Sequence, residues 1–176
     1  MMPFACITGE GLLKKKEVVC LEREEFLHLA GTYKNTLYRV ALHALGSPHD
    51  ADDIVQETLL RLWKRAEPFE SDAHAKHWLI RVALNLCKNV FRAPWRKLTS
   101  LDELDTAAVF DTPEQSALYA EVMALPEKYR TVLYLFYYED YSVKEVAQLL
   151  GISESAVTTR LSRARQTLKT QLTEVS

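Results

Sequence analysis

Glycine is scarce, five in 176 residues, and no glycine-rich phosphate loop can be found, which excludes a nucleotide cradle of that kind. Cysteine is scarcer still. Cys6, Cys20 and Cys87 are odd in number, far apart and without a C-x-x-C spacing, so neither a disulfide framework nor a zinc knuckle is supported. No apolar run reaches the ~20 residues that cross a bilayer, and the opening "MMPFACITGEGLLKKKEVV" has its lysines after the short apolar patch, the reverse of a signal peptide. A reduced, cytoplasmic chain that is not itself a membrane protein is expected. His74 and His77 are three apart but have no third ligand indicated nearby, and no Ser/His/Asp set can be assembled from spacing. The reading is therefore no enzyme, no small-molecule substrate, no metal and no cofactor.

Charge is present in quantity but is sorted. The net charge is only −2, yet "HDADDIVQE" is acidic, "AKHWLIRVALNLCKNVFRAPWRK" (Ala75 to Lys97) is basic without an acid, "LDELDTAAVFDTPE" is acidic again and "RLSRARQTLK" is basic. A near-neutral total argues against indiscriminate coating of nucleic acid, while the basic blocks suit docking on phosphates at chosen places.

Almost everything reads as helix. From Glu22 to Leu45, Phe26, Leu29, Tyr33, Leu37, Val40 and Leu45 recur at helical spacing, and Gly46 with Pro48 breaks the run. Ser47 then caps a second helix with Pro48 at its first position and Val55, Leu59, Leu62 and Ala66 as its apolar stripe, ending near Pro68. A third, with Trp78, Val82 and Leu86 on one side and Leu79, Ala83 and Val90 beside them, stops near Pro94. Periodicity fades from Trp95 to Thr112, which reads as a flexible acidic linker, and Thr112-Pro113-Glu114 restarts a helix. Another begins at Pro126, with Val132, Leu133, Leu135 and Phe136 as core.

"YSVKEVAQLLGISESAVTTRLSRARQTLK" is the sharpest local signal. Ser142 caps a short helix with Val146, Ala147 and Leu150 inward; Gly151 permits a left-handed turn; Ser153 caps a helix carrying Val157 and Leu161. This is a helix-turn-helix, and it projects Ser155, Thr158, Thr159, Ser162 and Arg163 outward, within reach of a major groove. The fold class expected is all-α, two small helical domains joined by a flexible acidic linker, the C-terminal one holding the helix-turn-helix.

Over roughly Phe26 to Leu172 the chain resembles the extracytoplasmic-function sigma factors of bacterial RNA polymerase, members of the sigma-70 family. "DADDIVQETLLRLWK" looks like the family's polymerase-docking helix. "AKHWLIRVALNLCKNVFR" resembles its promoter-melting segment, with a Trp-Leu pair and an Asn seven residues after the Trp, and "LPEKYRTVLYLFYYEDYSVKEVAQLLGISESAVTTRLSRARQTLK" is similar to the domain that reads the minus-thirty-five element. The resemblance implies an extension of unknown role at 1–21, sigma region 2 at 22–94, a linker at 95–112 and sigma region 4 at 113–176. It also implies core RNA polymerase (the beta-prime clamp helices and the beta flap) and promoter DNA as partners, and an anti-sigma factor of the kind such proteins often have.

By the same resemblance Asp53, Gln56 and Glu57 grip polymerase. Phe69, Ser71, Asp72, Lys76, Trp78, Asn85, Lys88, Asn89 and Arg92 face the minus-ten element, with Arg81, Arg96 and Lys97 as further phosphate contacts. Ser155, Thr158, Thr159, Arg160, Ser162, Arg163 and Arg165 face the minus-thirty-five element. Melting costs a few kcal/mol per base step, so phosphate contacts and pockets for flipped bases must offset it. Acids of the docking helix and of the linker, Asp102, Glu103, Asp105, Asp111 and Glu114, are expected to lie against the basic faces in the free chain. The alternative is an ordinary helix-turn-helix regulator, which binds an operator without polymerase; a pure adaptor would show no sequence-dependent DNA effect.

Overall fold

The computed structural model describes residues 21–92 and 113–174. Among them every regular element is a helix: α1 (Arg23–Leu45), α2 (Pro48–Trp63) and α3 (Asp72–Arg92) form an N-terminal unit, and α4 (Pro113–Ala124), α5 (Glu127–Tyr137), α6 (Val143–Leu150) and α7 (Glu154–Glu174) a C-terminal one. The expected linker at 95–112, with Arg96 and Lys97, and the extension up to residue 20 lie outside the described residues.

Local chemistry sets the helix ends. Gly46 closes α1 in the left-handed region (φ 70°), and the Ser47 hydroxyl accepts from the Asp50 N–H to open α2 behind Pro48. α2 ends at Trp63, short of the expected Pro68, because the Lys64 and Arg65 N–H groups close onto Leu60 and Leu62 carbonyls and the Arg65 guanidinium ties down the Glu67 carbonyl. α3 starts at Asp72, ahead of the basic stretch, since the Ser71 hydroxyl accepts from the His74 N–H at 3.2 Å. Ser142 and Glu145 make a reciprocal capping box on α6.

The core follows the periodicity with rotations. Ala51, Ile54, Val55, Thr58 and Leu62 are the buried side of α2, whereas Ala66 is exposed; the buried side of α3 runs through Leu79, Ile80, Ala83, Leu84 and Cys87, with Trp78 and Val82 at its edge. In α6, Leu150, expected inward, is half-buried, and Leu149, one turn from the buried Val146, is buried with it.

The two units are in contact: the end of α1 packs on α5, and α3 meets α6. At the first joint the buried Arg130 guanidinium donates to the His43 and Ala44 carbonyls of α1, and also to the Met123 and Leu125 carbonyls at the end of α4. The His43 imidazole, 6% exposed, stacks on Tyr134 with ring centroids 4.1 Å apart and donates through Nδ1 to the Arg39 carbonyl. Burial, reinforced by the Arg130 and Arg39 charges, pushes it down from 6.5 to about 4.

A histidine held neutral in the fold contributes its full stability above pH 6.5, and the contribution is lost as pH falls from 6.5 towards 4, because the unfolded chain takes up the proton first. At ~1.4 kcal/mol per pH step the loss is about 3 kcal/mol. The urea midpoint is therefore expected to fall between pH 7 and pH 5, and His43→Gln to flatten the slope. Some slope should remain, as burial also lowers His77. In the same assay, Gly151→Ala should lose about 1 kcal/mol from its left-handed backbone alone. Gly46→Ala should lose more, because its Cβ would stand 2.9 Å from Arg130 Nη2.

Candidate nucleic-acid interface

Asp53, Gln56 and Glu57 fall at i, i+3 and i+4 on α2 and so share one face. Asp53 and Gln56 are exposed. Asp53 lies 3.6 Å from His49, and Glu57 accepts from Arg61 at 2.9 Å. One turn further Leu60 is 52% exposed and Trp63 41%, so the acidic face continues into an apolar one. Sequence reading did not single out Leu60; its signal was an apolar residue standing outside the Val55–Leu59–Leu62 stripe. His49, Asp50 and Asp53 also bring ligand-type atoms within 4.8 Å of one another, on a largely exposed first turn where the helix dipole favours acids.

The residues expected at the minus-ten element separate by environment. Phe69 and Trp78 meet at 62° with centroids 5.6 Å apart, and the Arg65 guanidinium covers both rings at 4.5 and 5.0 Å. Trp78 is thus the half-buried wall of an aromatic corner. Ser71 caps α3, while the Asp72 backbone carbonyl accepts from the Tyr33 hydroxyl of α1 and its exposed carboxylate lies 3.9 Å from His28. Asn85 and Asn89 are exposed and, with Arg81, line one side of α3 at spacings of four. Lys88 lies on the flank of this row and Lys76 round the helix from it, and both are engaged by the C-terminal unit, Lys88 through the Leu150 carbonyl and Lys76 through Glu139. Arg92 is the last residue of α3. The two histidines diverge: His74 Nδ1 accepts from the Glu70 N–H, while His77 turns to Tyr141.

The helix-turn-helix is built as its sequence implies. Gly151 turns left-handed (φ 66°), with its N–H on the Ala147 carbonyl, and Ser153 accepts from the Ala156 N–H at 3.2 Å. Val146, Ala147, Leu149, Val157, Leu161 and Ala164 are buried, which aims Ser155, Thr158, Thr159, Ser162 and Arg163 at solvent. The Thr158 and Thr159 hydroxyls donate to the Glu154 and Ser155 carbonyls, leaving their oxygens as acceptors for base amino groups.

Ser155, Thr159, Arg160 and Arg163 join Lys128 and Tyr129 of α5 around a hollow of ≈ 300 Å³. Hydrogen bonding from Arg163, helped by the Lys128 charge, holds the Tyr129 phenol below its ordinary value. Lys128 and Tyr129 were not singled out in the sequence, where nothing local marks the third residue of "KYR" as the buried one. Arg165 turns to the opposite flank, donating to the Leu161 carbonyl and lining an apolar groove with Tyr134, Tyr138 and Leu168.

In a binding assay over a library of duplexes, Arg163→Ala should shift the preferred sequence and cost about 1–3 kcal/mol on the best site. Lys128→Ala should weaken all sequences alike and reduce the salt slope by about one. Unaltered preference in Arg163→Ala would remove it from base reading.

Comparison with known proteins finds two family blocks in the chain. The family described as sigma-70 region 2 matches residues 29–97, and sigma-70 region 4 matches residues 115–168. The chain is similar to the ECF RNA polymerase sigma factor SigW of Bacillus subtilis, 28% identical over 94% of this chain and 100% of the relative. SigM of the same organism is 32% identical over 78% and 88%, and SigL of Mycobacterium tuberculosis 33% over 79% and 84%. Among solved structures, the sigma factor RpoE in complex with the anti-sigma factor NepR from Bartonella quintana shares the fold, with a TM-score of 0.67 at 21% identity over 86% of this chain and 96% of that one. CnrH in complex with the cytosolic domain of CnrY aligns with a TM-score of 0.62 at 26% identity over 88% and 92%.

Proposed function

Since the chain belongs to the extracytoplasmic-function sigma factors of the sigma-70 family, we propose that its α2 face, its α3 face and its α7 face divide the work of promoter recognition. The protein binds core RNA polymerase and directs promoter-specific initiation. It works by contact and not by catalysis, in the cytoplasm where polymerase is; no helix of the described residues is long and apolar enough to cross a membrane. The ordinary-regulator alternative is not favoured, because it leaves the region 2 match without a role.

In this reading Asp53, Gln56 and Glu57 hold the beta-prime clamp helices, with Leu60 as an apolar anchor at the centre of the contact. Region 2 spans 22–94 and region 4 spans 113–176, the latter also meeting the beta flap. Phe69 and Trp78, clamped by Arg65, form a pocket wall for a base leaving the stack. Arg81, Asn85, Lys88, Asn89 and Arg92 track the opened strand through phosphate contacts and amide hydrogen bonds. Ser155, Thr158, Thr159, Ser162 and Arg163 read the minus-thirty-five bases, while Arg160, Lys128 and Tyr129 hold the adjacent phosphates. Arg165 supports α7 from its far flank. An anti-sigma protein is a further partner, supported by the likeness to CnrH, which is solved with the cytosolic domain of a second protein.

The observation that carries this reading is the pair of family blocks in one chain, with Ser155, Thr158, Thr159, Ser162 and Arg163 exposed on the second. The test is run-off transcription from a promoter library with purified core polymerase: product only when this chain is added supports it, and no product at any promoter overturns it. Replacing Asp53, Gln56 and Glu57 together by Ala should weaken core binding by at least ~10-fold, about 1.4 kcal/mol. Such surface changes leave the thermal midpoint little altered. Unchanged core affinity would sink the docking assignment.

A further inference from the structure

The chain enters the described fold at a defined point. Leu21 is buried, and its N–H donates to the Arg65 carbonyl at 3.1 Å, just past the end of α2. Whatever precedes Leu21 therefore starts beside the apolar end of the α2 face. There Trp63 meets the Phe26 ring of α1 edge-on with centroids 5.1 Å apart, yet Trp63 and Leu60 stay exposed, as does Leu27, which follows Phe26 in the chain. Neighbouring large apolar side chains left in water beside a charged rim mark an interaction surface.

The α2 face changes character along its length, with Trp63 and Leu60 nearest the entry point and Glu57 and Asp53 beyond them, at spacings of three and four. Residues 14–20, Lys-Lys-Lys-Glu-Val-Val-Cys, run through the same order when followed back from Leu21: Val19 and Val18 first, then Lys16, Lys15 and Lys14. The single acid, Glu17, falls between the two groups. Reach agrees with order. Glu57 and Asp53 stand about 12 and 18 Å back along α2 from Arg65 at the helical rise per residue, and an extended chain carries Lys16 and Lys14 as far as about 17 and 23 Å from Leu21. Glu57 and Asp53 have local partners in Arg61 and His49, but both pairs are exposed, where such contacts are worth ~0–1 kcal/mol, so a lysine can share either carboxylate.

We propose that residues 14–20 fold back along α2 of their own chain, with Val18 and Val19 against Leu60 and Trp63 and the three lysines against Glu57 and Asp53, and so compete with polymerase for that face. The competition rests on the sigma-factor reading of α2; the contact itself does not. A tether of a few residues supplies an effective concentration of about millimolar. A contact too weak to form between separate molecules is thereby filled within one, which favours the chain's own segment over that of a second copy.

Hydroxyl-radical footprinting of the free full-length chain, read by mass spectrometry, tests the contact. Two variants are compared with wild type, one carrying Lys14→Glu, Lys15→Glu and Lys16→Glu, the other Val18→Ser and Val19→Ser. In both, Leu60 and Trp63 should oxidise roughly threefold or more faster than in wild type, as loss of a protecting contact requires, while Tyr137, exposed on the C-terminal unit, should keep its rate. Leu60 and Trp63 rates unaltered in both variants overturn the proposal.

Carbodiimide cross-linking of an equimolar mixture of ordinary and heavy-nitrogen-labelled chain identifies the occupant. Amide links from the three lysines to Asp53 or Glu57 should join like-labelled peptides only. Links between unlike labels would put a second copy's segment on the face and overturn the fold-back, as would the absence of any such link. Core polymerase should bind the lysine variant roughly threefold or more tighter than wild type, because the masked fraction becomes competent; equal affinities overturn the competition. Failure of the sigma-factor reading is distinguishable, because it appears as absent run-off product from the wild-type chain, whereas the footprint and the cross-links involve no polymerase.

Discussion

The arrangement of the whole molecule turns on one buried cation. Arg130 keeps its guanidinium out of water, where an unmatched charge costs several kcal/mol, and meets it with backbone carbonyls at the ends of α1 and α4. Helix C-termini suit this purpose because their last carbonyls have no partner within the helix and carry the negative end of the dipole. The same side chain thereby orders the α4–α5 corner inside its own unit and reaches across to the other. Gly46 is the complement on α1: a residue with a Cβ would press on the guanidinium.

Helix ends do most of the positioning elsewhere too. The turn at Gly151, the Ser142–Glu145 box and the Ser153 cap set the angle at which α7 leaves α6. With Val157, Leu161 and Ala164 buried beneath it, the polar side of α7 has nowhere to go but outward. The end of α6 has a further use as the acceptor for Lys88. Backbone groups left over from secondary structure thus serve as the contacts between units, without demanding particular side chains at those positions.

The sorted charge of the chain becomes intelligible on this scaffold. A total of −2 conceals an acidic-to-apolar face on α2 and basic residues on α3 and α7, which the proposed division assigns to a protein partner and to nucleic acid. A uniformly basic protein would settle anywhere on DNA, since phosphate attraction carries no sequence information.

All-helical class, the breaks at Gly46 and Gly151, the caps at Ser47, Ser142 and Ser153, and the outward polar residues of α7 were legible in the sequence, because each depends on spacing and backbone preference within a few residues. The family blocks were legible for the same reason. Two things were decided only in three dimensions. Arg130 and Lys128 stand two residues apart in "KYR", yet one is buried and the other lines the recognition hollow, since only packing against α1 and α7 tells them apart. Lys76 and Lys88 read as free phosphate ligands until Glu139 and Leu150, more than sixty residues on, are brought to them. Local sequence carries propensity and periodicity, but the partner of a long side chain is set by whichever distant element the core delivers to it, and that depends on the packing of the whole chain.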